Sequence, residues 1–293
     1  MTSLPSPRTI LLQTTIAHDG NDWAIERFGQ LAALLAGLRD GEGRPEFKVI
    51  ARNRDDGDKP DSVLSRLDQS DIDVLWLLAV DTGQGLHAGE CQAISRFQQR
   101  GGGLLVARDH MDLGSSVCAL PGIGQAHHFH TTNQEADPQR QVNDDTGTPY
   151  IRWPNYHSGA NGDYQAVTAH GAVHPVLVDP ASPTGAIRFF PAHPHEGAIS
   201  APPDEHARVV ACGRSKSSGA EFNLVVAFER TRSRGRAIAQ SSFHHFADYN
   251  WHPGAGCPSF VSEASGQGMA ANPAALYDIQ RYVANTARWL AGA

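Results

Sequence analysis

Apolar residues in this chain fall into short unbroken runs and helical stripes, and the runs end repeatedly in histidine or acid. Residues 9–16, TILLQTTI, predict a first buried strand. Phe28, Leu31, Leu35 and Leu38 form one apolar stripe, so residues 22–39 predict a helix, with Asn21 or Asp22 placed to accept its first backbone N–H bonds. Residues 46–52 predict a second strand and Asp61 to Asp68 a short helix. Residues 73–80, DVLWLLAV, are continuously apolar, as a strand covered on both faces must be. A helix over 86–100 stops at Gly101-Gly102-Gly103, where glycine adopts the left-handed conformation that ends helices, and a strand at 104–108 follows. Strands alternating with helices predict an α/β fold, a three-layer sandwich around a mostly parallel sheet.

Beyond residue 130 the pattern loosens. Thr131 to Gly162 is polar and aperiodic, and a stretch that long reads as a functional lid or as disorder. Residues 207–212 and 222–228 predict a hairpin, and 235–240 another core strand. His252 to Asn272 is a second Gly/Ser/Pro-rich loop. Asn272-Pro273 opens a last helix whose face carries Ala275, Ile279, Tyr282, Thr286 and Leu290. Without an internal repeat or a linker, residues 1–293 read as one domain with two long loop insertions.

In an open parallel sheet the carboxyl ends of the strands share one edge, and ligands bind there. The pattern therefore sends five polar clusters to one place: His18-Asp19, Asp81, Asp109-His110, His193 to Glu196, and His244-His245.

Composition narrows the chemistry. A formal net charge of −7 argues against nucleic acid, which needs a basic face. No apolar run approaches the roughly 20 residues of a membrane span. Met1 to Arg8 lacks a basic-then-apolar export signal, and Cys91, Cys118, Cys212 and Cys257 are too dispersed for a C-x-x-C pair, so the expectation is a cytoplasmic protein with reduced thiols. The 15 histidines point mildly toward acid–base or metal chemistry. The partner expected is a small molecule, with room left for a homo-oligomer.

Alternate residues of an extended segment share a side, so His193 and His195 can face one site, with Glu196 beside them. Two imidazoles and a carboxylate suit Zn, Mn or Fe, and equally suit proton transfer without metal. Only one of His244 and His245 can enter a cleft, and His245 is taken as that one. His110 and His245 are the expected acid/base pair, Asp109 fixes a neighbouring tautomer or caps the next helix, and Glu196 orients a histidine or accepts a substrate hydroxyl. Arg108, Asp81, His18, Asp19, His195 and Trp251 are expected to contact substrate, Arg108 as an anion clamp. The alternative is a metal centre on His193, His195 and His245; no other cofactor is indicated. A third reading is binding without turnover. Trp153, Tyr156, Tyr249 and Trp251 either stack on flat ligand faces or staple the loops. Gly83-Gln84-Gly85 offers a weak oxyanion turn, and Cys257 is read as an inert thiol.

An ordered set of short motifs resembles the ThuA-like (trehalose-utilisation) family of the class I glutamine amidotransferase-like superfamily. It comprises Asp81-Thr82-Gly83, Phe97 to Gly103, His174-Pro175, His195-Glu196 at the family's Asp-Glu, Gly235-Arg236 with His244-His245, and Trp289-Leu290-Ala291-Gly292. The resemblance spans nearly the whole chain. It implies a flavodoxin-like sheet and a role in sugar catabolism, including turnover of oxidised disaccharides, by a hydrolase or lyase. The superfamily's glutaminases carry a nucleophilic Cys at the elbow after the fourth strand. That elbow reads Val106-Ala107-Arg108-Asp109-His110 here, so glutaminase activity is not expected. The family's elbow histidine is Arg108 here, and the Asp of Asp-Glu is His195.

Overall fold

The computed structural model describes residues 6–55, 59–144, 147–148, 150–203 and 205–292. Most of the segment behind the export reading, Met1 to Pro5, therefore lies outside the described residues.

The principal elements are β1 (Arg8–Thr14), α1 (Gly29–Gly37), β2 (Phe47–Arg52), β3 (Val74–Leu78), α2 (Ala88–Gln99), β4 (Gly103–Ala107), β5 (Thr168–Ala169), β6 (Ala207–Arg214), β7 (Glu221–Phe228), β8 (Ala237–Gln240) and α3 (Pro273–Leu290). All eight strands join one sheet in the order β2-β1-β3-β4-β8-β7-β6-β5. The first five in that order run parallel and the last three antiparallel. The 2-1-3-4 beginning is the flavodoxin-like order.

Alternation along the strands feeds two cores. Ile10, Leu12, Val74, Trp76, Leu78 and Leu105 pack with α1 and α3, while Leu11, Leu75, Leu77, Leu104 and Val106 pack with Cys91, Ile94 and Phe97 of α2. This is why the strands read as uninterrupted apolar runs. Among the described residues no helix is long and apolar enough to cross a membrane.

Several local expectations are corrected. The helix predicted over 22–39 is a 3-10 turn, Ile25–Phe28, followed by the shorter α1. Neither Asn21 nor Asp22 caps it. The Asp248 carboxylate accepts from the Gly29 and Gln30 N–H groups at 3.1 and 2.9 Å, so the cap comes from a distant segment. The segment leading to the His193 to Glu196 cluster, Phe189–Pro191, is a strand that pairs with Tyr164–Ala166 and not within the main sheet. His193 and His195, which follow it, therefore reach the strand-end edge without belonging to the main sheet. The loop 131–162 is threaded back into the protein, with Asn155, Ser158 and Asn161 buried.

The predicted short helix is a 3-10 turn, Leu64–Gln69. Asp61 accepts from the Val63 and Leu64 N–H groups at its start, at 2.9 and 2.8 Å, and pairs with Arg52 at 2.8 Å. Burial disfavours the Asp61 carboxylate, but Arg52 and these backbone donors outweigh it and draw its pKa down to about 2. A carboxyl depressed on folding stabilises above its unfolded pKa, and the gain is lost as pH falls through the folded value. Asp61→Asn is thus expected to cost about 2 kcal/mol at pH 7. Urea unfolding of both proteins should show this gap shrinking between about pH 5 and pH 2; a gap independent of pH counts against the assignment.

Candidate active site

The turn after β4 and the turn after β8 are neighbours because the two strands pair in parallel, from Ala237–Leu104 to Gln240–Ala107. The first turn delivers Asp109 and His110. The second is a 3-10 turn, Phe243–Phe246, started by the Ser242 hydroxyl, which accepts from the His244 N–H at 3.1 Å. That hydroxyl also donates to Asp109 Oδ1 at 2.8 Å, tying the two strand ends together.

Asp109 is fully buried, and its Oδ2 is a point of convergence. His110 Nδ1 lies 2.9 Å away, His193 Nε2 3.3 Å and His244 Nε2 3.6 Å. The His193 and His244 rings stack with centroids 3.6 Å apart and planes 9° from parallel. His195 stands edge-on to both His193 and His110, at 5.5 and 5.2 Å. Four imidazoles thus run in file around one carboxylate. His110 is the outermost, its side chain 19% exposed against 4–5% for the other three.

Electrostatics separates their roles. Burial lowers the His193 pKa to about 4 and holds His244 well below the ordinary histidine range. Both are neutral imidazoles at pH 7. Burial opposes ionisation of Asp109, and the hydrogen bond from His110 favours it; the carboxyl is held well below its usual range. A buried carboxylate therefore faces neutral imidazoles.

Both long loops reach this place. Thr148 of the first and Glu263 of the second each come within 3.3 Å of His195 Nε2, while His195 Nδ1 meets Asn155 Oδ1 at 3.1 Å. The second loop is latched to the segment after β1 by Asn21 and Ser259, which exchange hydrogen bonds of 2.8 and 2.7 Å.

The remaining expected residues lie elsewhere. His245 turns the opposite way from His244. It is fully buried, with Nε2 on Glu196 Oε1 at 3.0 Å and Nδ1 against the Gln240 amide at 2.6 Å. As a cleft residue and metal ligand it is therefore corrected: neither ring nitrogen is free. Glu196 is also fully buried. It accepts from Ser158, Gln165 and Ser241 besides His245, so it orients a histidine but is closed to a substrate hydroxyl.

Arg108 is internal rather than an anion clamp. It donates to the Met111 and His128 carbonyls at 2.7 Å and lies over the Phe129 ring, and burial lowers its pKa to about 9. Asp81 binds Ser116 at 2.9 Å and the Gly83 N–H at 2.8 Å, which consumes a donor of the proposed oxyanion turn. His18 and Asp19 are exposed and line a separate 240 Å³ groove with Glu26 and Arg27. Trp251 is 1% exposed and donates to the His245 carbonyl, so it staples the fold. Trp153, Tyr156 and Tyr249 are buried in the same way.

Sequence reasoning missed His244 and the amides of Asn155, Asn161 and Asn250. The Ser-Phe-His step was the available signal: a serine that caps a turn fixes the direction of the residue two positions on.

Solved structures share this architecture. A ThuA-like protein from Parabacteroides merdae superposes with a TM-score of 0.50 at 15% identity, over 98% of this chain and 90% of that one. This chain has the ThuA-like fold. A ThuA-like protein from Bacteroides uniformis matches at TM-score 0.45 and 12% identity, over 99% and 94% of the two chains. The glutaminase domain of Trypanosoma brucei CTPS with bound acivicin matches at 0.46 and 12%, over 96% and 94%. No family model and no curated protein matches the chain. No cysteine stands in the turn after β4, which reads Arg108-Asp109-His110. Burial also pushes the Cys91 and Cys212 thiols up to about 11.

Proposed function

We propose that this protein is an enzyme of hydrolase or lyase type acting on a small, hydroxyl-rich, carbohydrate-like molecule held over His110. The observation that carries this reading is the Asp109–His110 pair, placed beside His195 at the outer end of a buried histidine file. Asp109 accepts the Nδ1 proton and so leaves His110 Nε2 as the basic nitrogen. Nε2 has no hydrogen-bond partner among the described residues. In that form it takes a proton from a substrate hydroxyl or a water, and Asp109 stabilises the imidazolium until the proton passes to the leaving group. His195, held by Asn155, Thr148 and Glu263, borders the same opening.

The sugar reading is supported by the likeness in fold to a solved ThuA-like protein. The protein's role is read as intracellular, with no membrane or nucleic-acid partner. A thermal-shift screen of neutral disaccharides and their keto derivatives tests the substrate class. A ligand at 100 times its Kd stabilises the native state by about 2.7 kcal/mol, and the same compounds should then be cleaved in a product assay. Binding without product would turn the reading into that of a non-catalytic sugar-binding protein. No shift with any sugar would remove the substrate class.

A further inference from the structure

The amide network behind the stacked histidines fixes their tautomers. The Ala192 carbonyl can only accept, so the atom of Asn250 that meets it at 3.0 Å is the amide nitrogen. Asn250 Oδ1 is then the atom facing His244 Nδ1 at 3.0 Å, and that nitrogen must carry hydrogen. The same Asn250 amide donates to Asn161 Oδ1 at 2.9 Å. Asn161 Oδ1 in turn meets His193 Nδ1 at 2.9 Å, which must also carry hydrogen. One carbonyl thus propagates through two asparagines to two imidazoles. Both Nε2 atoms lie beside Asp109 Oδ2, at 3.3 and 3.6 Å.

His193 Nε2 is buried and has no hydrogen-bond partner among the described residues. The ligand atoms of Asp109, His193 and His244 all lie within 4.8 Å of one another. For bonds near 2.1 Å, tetrahedral ligands sit about 3.4 Å apart. The two distances from Asp109 Oδ2, 3.3 and 3.6 Å, bracket that edge. Metal-ligating histidines also typically give their second N–H to an oxygen acceptor, as both do here.

We infer that Asp109, His193 and His244 form a binding site for a first-row divalent cation of the Zn2+ type, with Asn161 and Asn250 as its positioning residues. Of the three ligands expected from sequence, only His193 belongs to it. Two nitrogens and one oxygen leave a coordination position open for a water or a substrate oxygen. The site shares Asp109 with the catalytic reading above but rests on its own geometry.

The test uses tag-free, metal-stripped, full-length protein titrated with Zn2+ alone and with Co2+ alone. Saturable binding of one ion per chain, visible d–d absorption of the Co2+ form and a rise in Tm are expected. His193→Gln and His244→Gln should each abolish saturable binding, Asn250→Ala should weaken it about 10- to 100-fold, and His18→Gln should leave it unchanged. Nitrogen-detected imidazole NMR of the unaltered protein keeps the test independent of variant folding. It should show both histidines as Nδ1–H tautomers, with their Nε2 resonances moving on addition of Zn2+. Absence of saturable binding by the folded protein, or binding that survives both histidine variants, overturns the site. Sugar turnover is read separately, so a metal-loaded protein without turnover sinks the catalytic reading and leaves the metal site standing.

Discussion

His110→Ala is expected to lower turnover of a cleaved sugar by 10²- to 10⁴-fold, the range a positioned general acid–base group contributes. The side chain sits at the mouth of the site with its ring partly exposed, so its removal opens no core cavity and Tm should stay within about 2 °C. The substrate Kd, measured by calorimetry, should change far less than kcat. A large loss of affinity with kcat preserved would make His110 a binding group only. His110→Gln is the stricter variant, because it keeps a polar group of similar reach but cannot cycle a proton. Activity retained in His110→Gln removes the acid–base role altogether.

The Asp109→Asn variant separates orientation from bulk. The carboxamide would have nearly the same shape as the carboxylate and could still bond Ser242. It would lack the charge that stabilises a His110 imidazolium and that, in the cation-site reading, balances a metal. A loss in Asp109→Asn as deep as in His110→Ala indicates that the two act as one unit, since residues of one unit are strongly non-additive.

The fold was legible because its strands are covered on both faces. Continuous apolar runs such as Val74 to Leu78 leave few alternatives, and glycines mark where they begin. Gly101 takes φ +98° at the end of α2, and Gly235 lies so close to the Gly102 carbonyl that no side chain fits there. Several short motifs behind the family resemblance turn out to be one contact group. Arg236 donates to the Trp289 carbonyl at 2.7 Å, and His174 sits edge-on to the Trp289 ring at 4.9 Å. Those residues hold the edge of the sheet opposite the site. They report fold and are silent about chemistry.

The site was only half legible. Asp109 and His110 were found because strand ends converge in this topology, and His193 with His195 because alternate residues of an extended segment share a side. The choice between His244 and His245 failed because a 3-10 turn replaces the two-residue alternation of the strand just there, and sequence parity no longer sets direction. Arg108 failed for another reason. A strand-end arginine reads as exposed, but the His128 and Met111 carbonyls come within 2.7 Å of it as acceptors. Contacts that depend on where a long loop folds back were beyond any local pattern.

Glu196→Ala is expected to be the most destabilising single change at the site's foundation. The carboxylate is fully buried and accepts from Ser158 at 2.9 Å, Gln165 at 2.5 Å, Ser241 at 2.9 Å and His245 at 3.0 Å. Alanine would leave these groups without their acceptor in a dry interior. Leaving a buried polar group unsatisfied costs about 1–3 kcal/mol, so losing the acceptor of four donors is expected to cost about 3–5 kcal/mol. For a chain of this size that lowers Tm by roughly 10 °C, readable by calorimetry. Glu196→Gln retains one acceptor oxygen and the shape, and should recover at least half of the loss. Equal losses in both variants would show that charge, not hydrogen-bond geometry, is what His245 requires. A wild-type Tm in Glu196→Ala would remove the structural role given to the residue. The consequence for chemistry follows from chain connectivity. The backbone of Glu196 exchanges hydrogen bonds with Tyr156 at 2.8 and 3.0 Å, and His195 and His193 precede it on the same segment. An anchor lost at Glu196 therefore loosens the two inner imidazoles that depend on it, and sugar turnover and Zn2+ affinity should fall in Glu196→Ala at temperatures where the protein is still folded.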